Sequence, residues 1–383
     1  MGVGWIKDFF QQEAAPAIIL FVMAVAALIL CNSPWDVVYQ QFLQLPLAVH
    51  VAHYVIAQPL LFWVNEGLMT LFFLSVGLEL KHELMQEGGH YARLLLPCFA
   101  ALGGMVIPVL IYLLLNFTSS ERLPGWAIPV ATDIAFALGV LALFGKRVPP
   151  GLRMFLLTLA IFDDVGAIII IAFFHPASLS LWSFGLALAA IIVLALMNYY
   201  KVRKLSLYML VGLVLWLCVL KSGIHATVAG VVLGLIVPAG PAVRLQNSLK
   251  AWVNFFIMPL FAFANAGVDL RGLSLDVMFD SVTLGIILGL WLGKPVGVAG
   301  LSWLLLKAGR LSLPLNTTWL ELFGTAALCG IGFTMSLFLG TLAFQNSTPV
   351  YLAEVKLGVL AGSLLSGITG ALILRKAFAK SAK

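Results

Sequence analysis

Apolar residues run in long blocks, each closed by charge, Pro or Gly. Blocks of about 20 residues predict helices that cross a bilayer. Twelve spans are read, at 14–31, 59–80, 94–116, 125–144, 153–174, 181–199, 205–220, 223–237, 252–268, 282–306, 318–344 and 351–374. The links are short and hold Pro34, Pro149-Pro150, Pro176, Pro238 to Pro241, Pro314 and Pro349. The 32–58 link is longer. Its stretch from Leu45 to Ile56 alternates with period two and predicts a short surface hairpin.

Composition sharpens this into an all-α membrane protein. The 383 residues are 62% hydrophobic and 10% charged, against about 25% charged in a soluble domain. The whole chain, 1–383, reads as a single polytopic domain, with Ala14–Cys31 as an uncleaved first span. The net charge of +6 does not indicate a nucleic-acid partner, because the basic residues are scattered among short loops. Alternate loops hold most of the 22 Lys and Arg. The opposite loops hold Arg122, Lys221 and Arg271, while Lys294 and Lys356 lie within spans. The positive-inside rule then places both termini in the cytoplasm, as an even number of spans requires. Cys31, Cys98, Cys218 and Cys329 have no paired spacing and read as small apolar packing groups.

Candidate chemistry lies where charge interrupts the apolar blocks. Asp163 and Asp164 stand side by side near the middle of the fifth span. A charged side chain at the bilayer centre costs roughly 2.5–3.5 kcal/mol on insertion scales, and reversible cation or proton binding is a reason to keep two. Neighbours on a helix point about 100° apart, so one can ligate a cation while the other faces a partner. Interacting carboxylates titrate as a pair, which lets one proton be held toward neutral pH. Lys294 lies too deep in its span to reach either surface easily. It either forms a static bridge to an acid or gives up that bridge when a cation arrives. Asp133 is either a counter-charge for helix ends or a direct ligand.

Two spans look broken. In the fourth, Pro129 removes a helix hydrogen bond just before Thr132 and Asp133. In the eleventh, Gly330 and Gly332 weaken the helix beside Thr334 and Ser336. Unwound backbone survives at membrane depth where it is buried in protein or lines a wet cavity. Interrupted spans in corresponding positions of two halves predict inverted repeats, at about 94–174 and 282–374, with the ion site between the broken helices.

Other functions fit less well. No intramembrane arginine is available to clamp an organic acid. A retinal Schiff base on Lys294 does not suit twelve spans and a Gly-Lys-Pro setting. Adjacent acids on one helix do not give the geometry of an aspartyl protease. His50, His53, His90 and His175 fall in loops, and no zinc spacing appears. The reading is transport, not catalysis, with no resident cofactor.

Several segments together resemble the bacterial NhaA-type Na+/H+ antiporters. These are Thr132-Asp133-Ile-Ala-Phe-Ala-Leu-Gly, Asp163-Asp164-Val-Gly-Ala, Lys221-Ser-Gly-Ile-His-Ala-Thr, Pro259-Leu-Phe-Ala-Phe-Ala-Asn-Ala-Gly, Gly293-Lys-Pro and Cys329-Gly-Ile-Gly-Phe-Thr-Met-Ser. The likeness runs from about Trp5 to Leu374. It implies a site where Asp163 and Asp164 bind Na+ or Li+ with help from Thr132. It also implies that Asp133 and Lys294 balance the ends of crossed, discontinuous helices 4 and 11. More than one H+ would be exchanged per Na+ extruded, so transport would be electrogenic. It would be activated at alkaline pH and serve pH and sodium homeostasis across the bacterial inner membrane. The likeness further points to a homodimer joined through the 32–58 loop.

Family members respond to pH at the end of the second span. Here that segment carries Glu79, His82 and Glu83, within one helical turn of each other, and a histidine beside carboxylates titrates near neutral pH. His225 is either a further pH-responsive group or a packed imidazole. The segment departs from the family pattern in two ways, which bear on the set point and steepness of activation. His82 stands where an arginine is usual, and 245–250 lacks the acid and histidines expected there.

Overall fold

A chain in hydrocarbon must satisfy its backbone internally, and the apolar blocks accordingly form helix. The computed structural model describes residues 12, 14–51, 54–86, 92–174, 180–271, 275–309, 311–345 and 348–381. His53, His90 and His175 lie outside the described residues.

The chain begins with α1 (Ala15–Cys31) and the short α2 (Asp36–Leu43), bent from each other by 118°. Strands β1 (Pro46–Val51) and β2 (Tyr54–Pro59) form an antiparallel hairpin, with Pro46 opposite Pro59 and Val51 opposite Tyr54. The expected hairpin is present. It extends three residues past Ile56, and His50 is a strand residue. Its base is closed by the Leu60 N–H donating to Leu45 O at 2.9 Å. A π turn (Trp63–Leu68) leads into α3 (Met69–Gln86), followed by α4 (Ala92–Asn116). A 3-10 stretch (Leu123–Val130) and α5 (Ile134–Ala142) make one interrupted segment. Then come α6 (Pro150–Phe174), α7 (Leu181–Tyr199), α8 (Leu205–Ser222) and α9 (Thr227–Ile236). Helix α10 (Ala239–Trp252) continues through a π turn (Val253–Ile257) into α11 (Met258–Asn265). Helix α12 (Ser281–Leu288) passes through a π turn (Gly289–Gly293) into α13 (Lys294–Lys307). The chain closes with α14 (Trp319–Leu328), α15 (Phe333–Ala343) and the long α16 (Pro349–Ser381).

Among the described residues, seven helices are long and apolar enough to cross a membrane, and two bent pairs bring the number to nine. Helix α6, the expected fifth span, is a further apolar helix of 25 residues. The expected eighth span, 223–237, is much shorter. Only α9 is helical there, at 10 residues, or about 15 Å at 1.5 Å per residue. Gly223, at φ 86°, ends α8, and Val237, extended before Pro238, stops α9. The stretch before the expected ninth span is also helical, because α10 is a polar helix that runs on toward α11. Outward residues of α4 and α7, such as Val106, Leu110, Leu114, Leu188 and Ile192, are exposed and apolar. Patches of that kind are rare on soluble monomers, and in a bilayer they match their solvent.

Two compact units form. One comprises Met1–Val22, Glu87–Ala167 and Leu270–Lys383, the other Met23–Gln86 and Ile168–Asp269. In the first, α13 packs on α4, and both α12 and α14 pack on α16. In the second, α9 packs on α3 and α8 on α7, around Leu74, Leu78, Leu194, Tyr208, Leu215 and Leu233. The α3–α9 contact is backbone to backbone. A Cβ on Gly234 would fall 2.7 Å from Leu74 O and 2.8 Å from Leu78 N, so nothing larger than glycine fits there. Lys81 of α3 closes the far end of α9, its ammonium donating to Leu235 O at 2.9 Å and Val237 O at 2.5 Å.

Candidate functional site

The site grows out of two interruptions in the first unit. In the first, the 3-10 stretch ends at Val130, Ala131 is extended, and Asp133 is the N-cap of α5. Pro129, which has no N–H, makes a regular helix unfavourable here. In the second, α14 ends at Leu328, α15 starts at Phe333, and the two helices are bent by 43°. Gly330 and Gly332 lie inside that gap, where the sequence predicts unwinding.

Each break answers the other's freed groups. The Asp133 N–H donates to Ile331 O at 2.6 Å. Ser336 Oγ donates to Ile128 O at 2.8 Å. Thr132 Oγ1 lies 2.8 Å from Cys329 O and 2.8 Å from Asp163 Oδ2, so its single proton serves one or the other. The Asp133 carboxylate caps two helices at once. Its Oδ1 accepts the Phe136 N–H at 3.0 Å. Its Oδ2 accepts the Thr334 N–H at 3.0 Å and the Thr334 hydroxyl at 2.5 Å. A carboxylate at a helix N-terminus is favoured by the orphan amides and by the dipole.

Asp163 reaches this crossing from α6. Lys294, the first residue of α13, donates to Asp163 Oδ2 and, at 3.1 Å, to Thr132 Oγ1. Thr132, Asp133, Asp163, Asp164 and Lys294 are all at 0% exposure. Removing one partner of such a buried pair typically costs about 3–5 kcal/mol. Asp163 Oδ1 is buried and accepts no hydrogen bond. That oxygen, the hydroxyl of Thr132 and the freed carbonyls make an oxygen-rich site suited to a hard cation or a proton. Among the described residues no three His, Cys, Asp or Glu converge as a resident metal centre.

The remaining sequence candidates lie in the second unit. Glu79, His82 and Glu83 are on α3, with Glu83 buried and the other two half-buried. His225 precedes α9, its Nδ1 3.2 Å from Glu66 Oε1. Glu66 is a residue the sequence reading passed over. It is buried in the π turn before α3, and its Oε2 accepts the Ala226 N–H at 3.0 Å. Asn65 and Asn265 exchange side-chain hydrogen bonds beside it, at 2.9 and 3.3 Å. The signal is in the sequence, since Glu66, like Asp163, is an acid inside an apolar block.

A family model described as Na+/H+ antiporter 1 matches residues 7–374. The chain is similar to the Na(+)/H(+) antiporter NhaA of Yersinia pseudotuberculosis serotype O:3 (strain YPIII). The two are 50% identical over 378 residues, covering 97% of this chain and 96% of that protein. It is similar to the Na(+)/H(+) antiporter NhaA 2 of Magnetococcus marinus to the same degree, 50% over 385 residues and 97% of each chain.

Proposed function

This chain belongs to the Na+/H+ antiporter 1 family, and from that premise we propose that it exchanges sodium for protons at the buried Asp163–Lys294–Thr132 cluster. The observation that carries the proposal is the ion pair itself: the Lys294 ammonium occupies Asp163 Oδ2 at 0% exposure. An arriving cation competes with that ammonium for the same carboxylate. Na+ or Li+ then binds Asp163 and Asp164, with the Thr132 hydroxyl oxygen as a further ligand, while protons leave the cluster. With two protons on Asp163, Asp164 and Lys294 together the cluster is neutral. With both protons gone and one Na+ bound it carries one negative charge. A cycle between these forms moves more than one H+ per Na+ and is electrogenic. Protons and cations compete for one site, so activity rises at alkaline pH. Asp133 serves as the counter-charge of the two capped helix ends.

The wider reading follows the family. Twelve spans cross the bacterial inner membrane with both termini cytoplasmic. Residues 94–174 and 282–374 form inverted repeats, and it supports this that nearly all of both fall in one compact unit. Two protomers join through the 32–58 loop, whose hairpin strands offer edges that invite pairing. The physiological role is sodium and pH homeostasis.

The test is collapse of a respiration-driven pH gradient in everted vesicles on adding NaCl, LiCl or KCl. Collapse with Na+ and Li+ but not K+ is expected. Equal responses to all three salts would remove the hard-cation site from the proposal.

A further inference from the structure

The second break contains Gly330 and Gly332, which have no side chains to anchor it. Something outside must fix it, and α16 lies against it. The Gly332 N–H, an orphan donor at the start of α15, donates to Ser363 Oγ at 3.2 Å. Ser366 is fully buried, and its hydroxyl makes no hydrogen bond. It lies against Gly330, where an added Cβ would come within 2.5 Å of Ser366 Oγ and 2.9 Å of its Cβ. Ser363 and Ser366 are three residues apart and share one helix face. The backbone they face includes the Ile331 carbonyl that accepts from Asp133 and, one residue before Gly330, the Cys329 carbonyl beside Thr132.

We propose that Ser363 and Ser366 are positioning residues for the cation site: they set where the second break stands, and through Cys329 O and Ile331 O they set how Thr132 meets Asp163. This rests on the reading of Asp163 as the cation ligand. Ser363 pins the break by a hydrogen bond that the buried Gly332 amide finds in a side chain of the last helix. Ser366, together with the Leu290 carbonyl, fills the space that Gly330 leaves, and on the α16 side it bars the break from moving toward that helix. Neither serine touches the ion. Loosening them therefore weakens cation affinity and leaves the protonation chemistry intact.

The experiment titrates NaCl on everted vesicles containing Ser363→Ala, Ser363→Thr, Ser366→Val or Asp163→Asn. Losing one neutral hydrogen bond, worth about 0.5–1.5 kcal/mol, corresponds to about a two- to tenfold change in affinity. Ser363→Ala should raise apparent KM for Na+ by about that factor and keep the maximal rate within twofold. At subsaturating Na+ its pH–rate curve should move to higher pH, because protons then compete more effectively. Ser363→Thr keeps the hydroxyl and should restore KM. Ser366→Val should raise KM as it pushes on Gly330. If Ser363→Ala does not reach the membrane, Ser363→Cys, with a weak acceptor, takes its place with the same expectation. An unchanged KM in the Ser363 variant, or a lost maximal rate with KM unchanged, overturns the proposal. Activity surviving in Asp163→Asn would instead overturn the underlying site reading. An inactive Asp163→Asn beside a wild-type Ser363→Ala removes the serines alone.

Discussion

One carboxylate oxygen of Asp133 accepts both the backbone N–H and the hydroxyl of Thr334, at 3.0 and 2.5 Å. The two residues are far apart in sequence, and each stands at the start of a helix that resumes after a break. The same side chain also caps its own helix through Phe136. A single buried charge thus compensates two sets of orphan amides.

Asp133→Asn exchanges one acceptor oxygen for a donor, so a capped amide loses its partner. The expected outcome is a protein destabilised by about 0.5–2 kcal/mol, the usual size of a lost cap. Asp133→Ala should lose more. Thermal melting in detergent measures both, and a wild-type melting curve for the alanine variant would show that the double cap contributes nothing.

Lys294→Ala leaves Asp163 buried without its cation. A loss of about 3–5 kcal/mol is expected. Adding Asp163→Asn to that variant removes the stranded charge and should recover part of the loss. The double-mutant cycle reads the coupling directly, and additive effects would mean that the two side chains act independently.

Asp163→Asn and Asp164→Asn are each expected to abolish Na+-driven proton movement in vesicles. The neutral amide neither attracts the cation strongly nor cycles a proton. Wild-type rate and apparent affinity in either variant would remove that residue from the site.

Activity should rise between about pH 6.5 and 8.5, a range set by competing protons at coupled groups. The sign is fixed by the exchange: raising pH strips protons from the cluster, and the cation takes their place. His82→Arg on α3 puts a permanently charged guanidinium in place of the imidazole that stands within a helical turn of Glu79 and Glu83. The profile should then shift or change steepness, with the rate at high pH nearly intact. A profile unaltered by this change would leave His82 as a helix-end residue only.

Excising 46–59 is a clean way to test the dimer contact. The Leu60 N–H already donates to Leu45 O, so the two cut ends lie together. The shortened protein should run as a monomer in detergent and still exchange ions. A shortened protein that stays dimeric at dilutions where wild type is dimeric would rule the hairpin out.

The two breaks and the buried charges are more legible in the sequence than the span boundaries. Pro129 and the Gly330/Gly332 pair announce both breaks, because backbone chemistry is local. Asp163, Asp164, Asp133 and Lys294 announce themselves as charges in apolar blocks. Which acid Lys294 meets depends on how α6, α13 and the first break pack, and no local pattern carries that. The same holds for Asp133 reaching Thr334. The 223–237 block is apolar enough for a span, yet its termini bend it into a ten-residue helix. Such a helix is held by tertiary partners, Lys81 at one end and Glu66 at the other. The hairpin was visible as alternation, but β2 runs on to Pro59, where the apolar pattern already reads as the next span.

The π turn at Gly289–Gly293 precedes Lys294 directly. A π turn amounts to one residue inserted into an α-helix, so it offsets the phase of the helix on its two sides. Helix α12 packs on α16 and α4, and α13 packs on α4 and α14. Were the same residues wound as regular α-helix, the span would keep its apolar content unchanged. That winding would also turn everything downstream by about 100° relative to α12, swinging the ammonium of Lys294 away from Asp163. The irregularity is a timing element: it lets one span satisfy two neighbours and still deliver its lysine to the carboxylate.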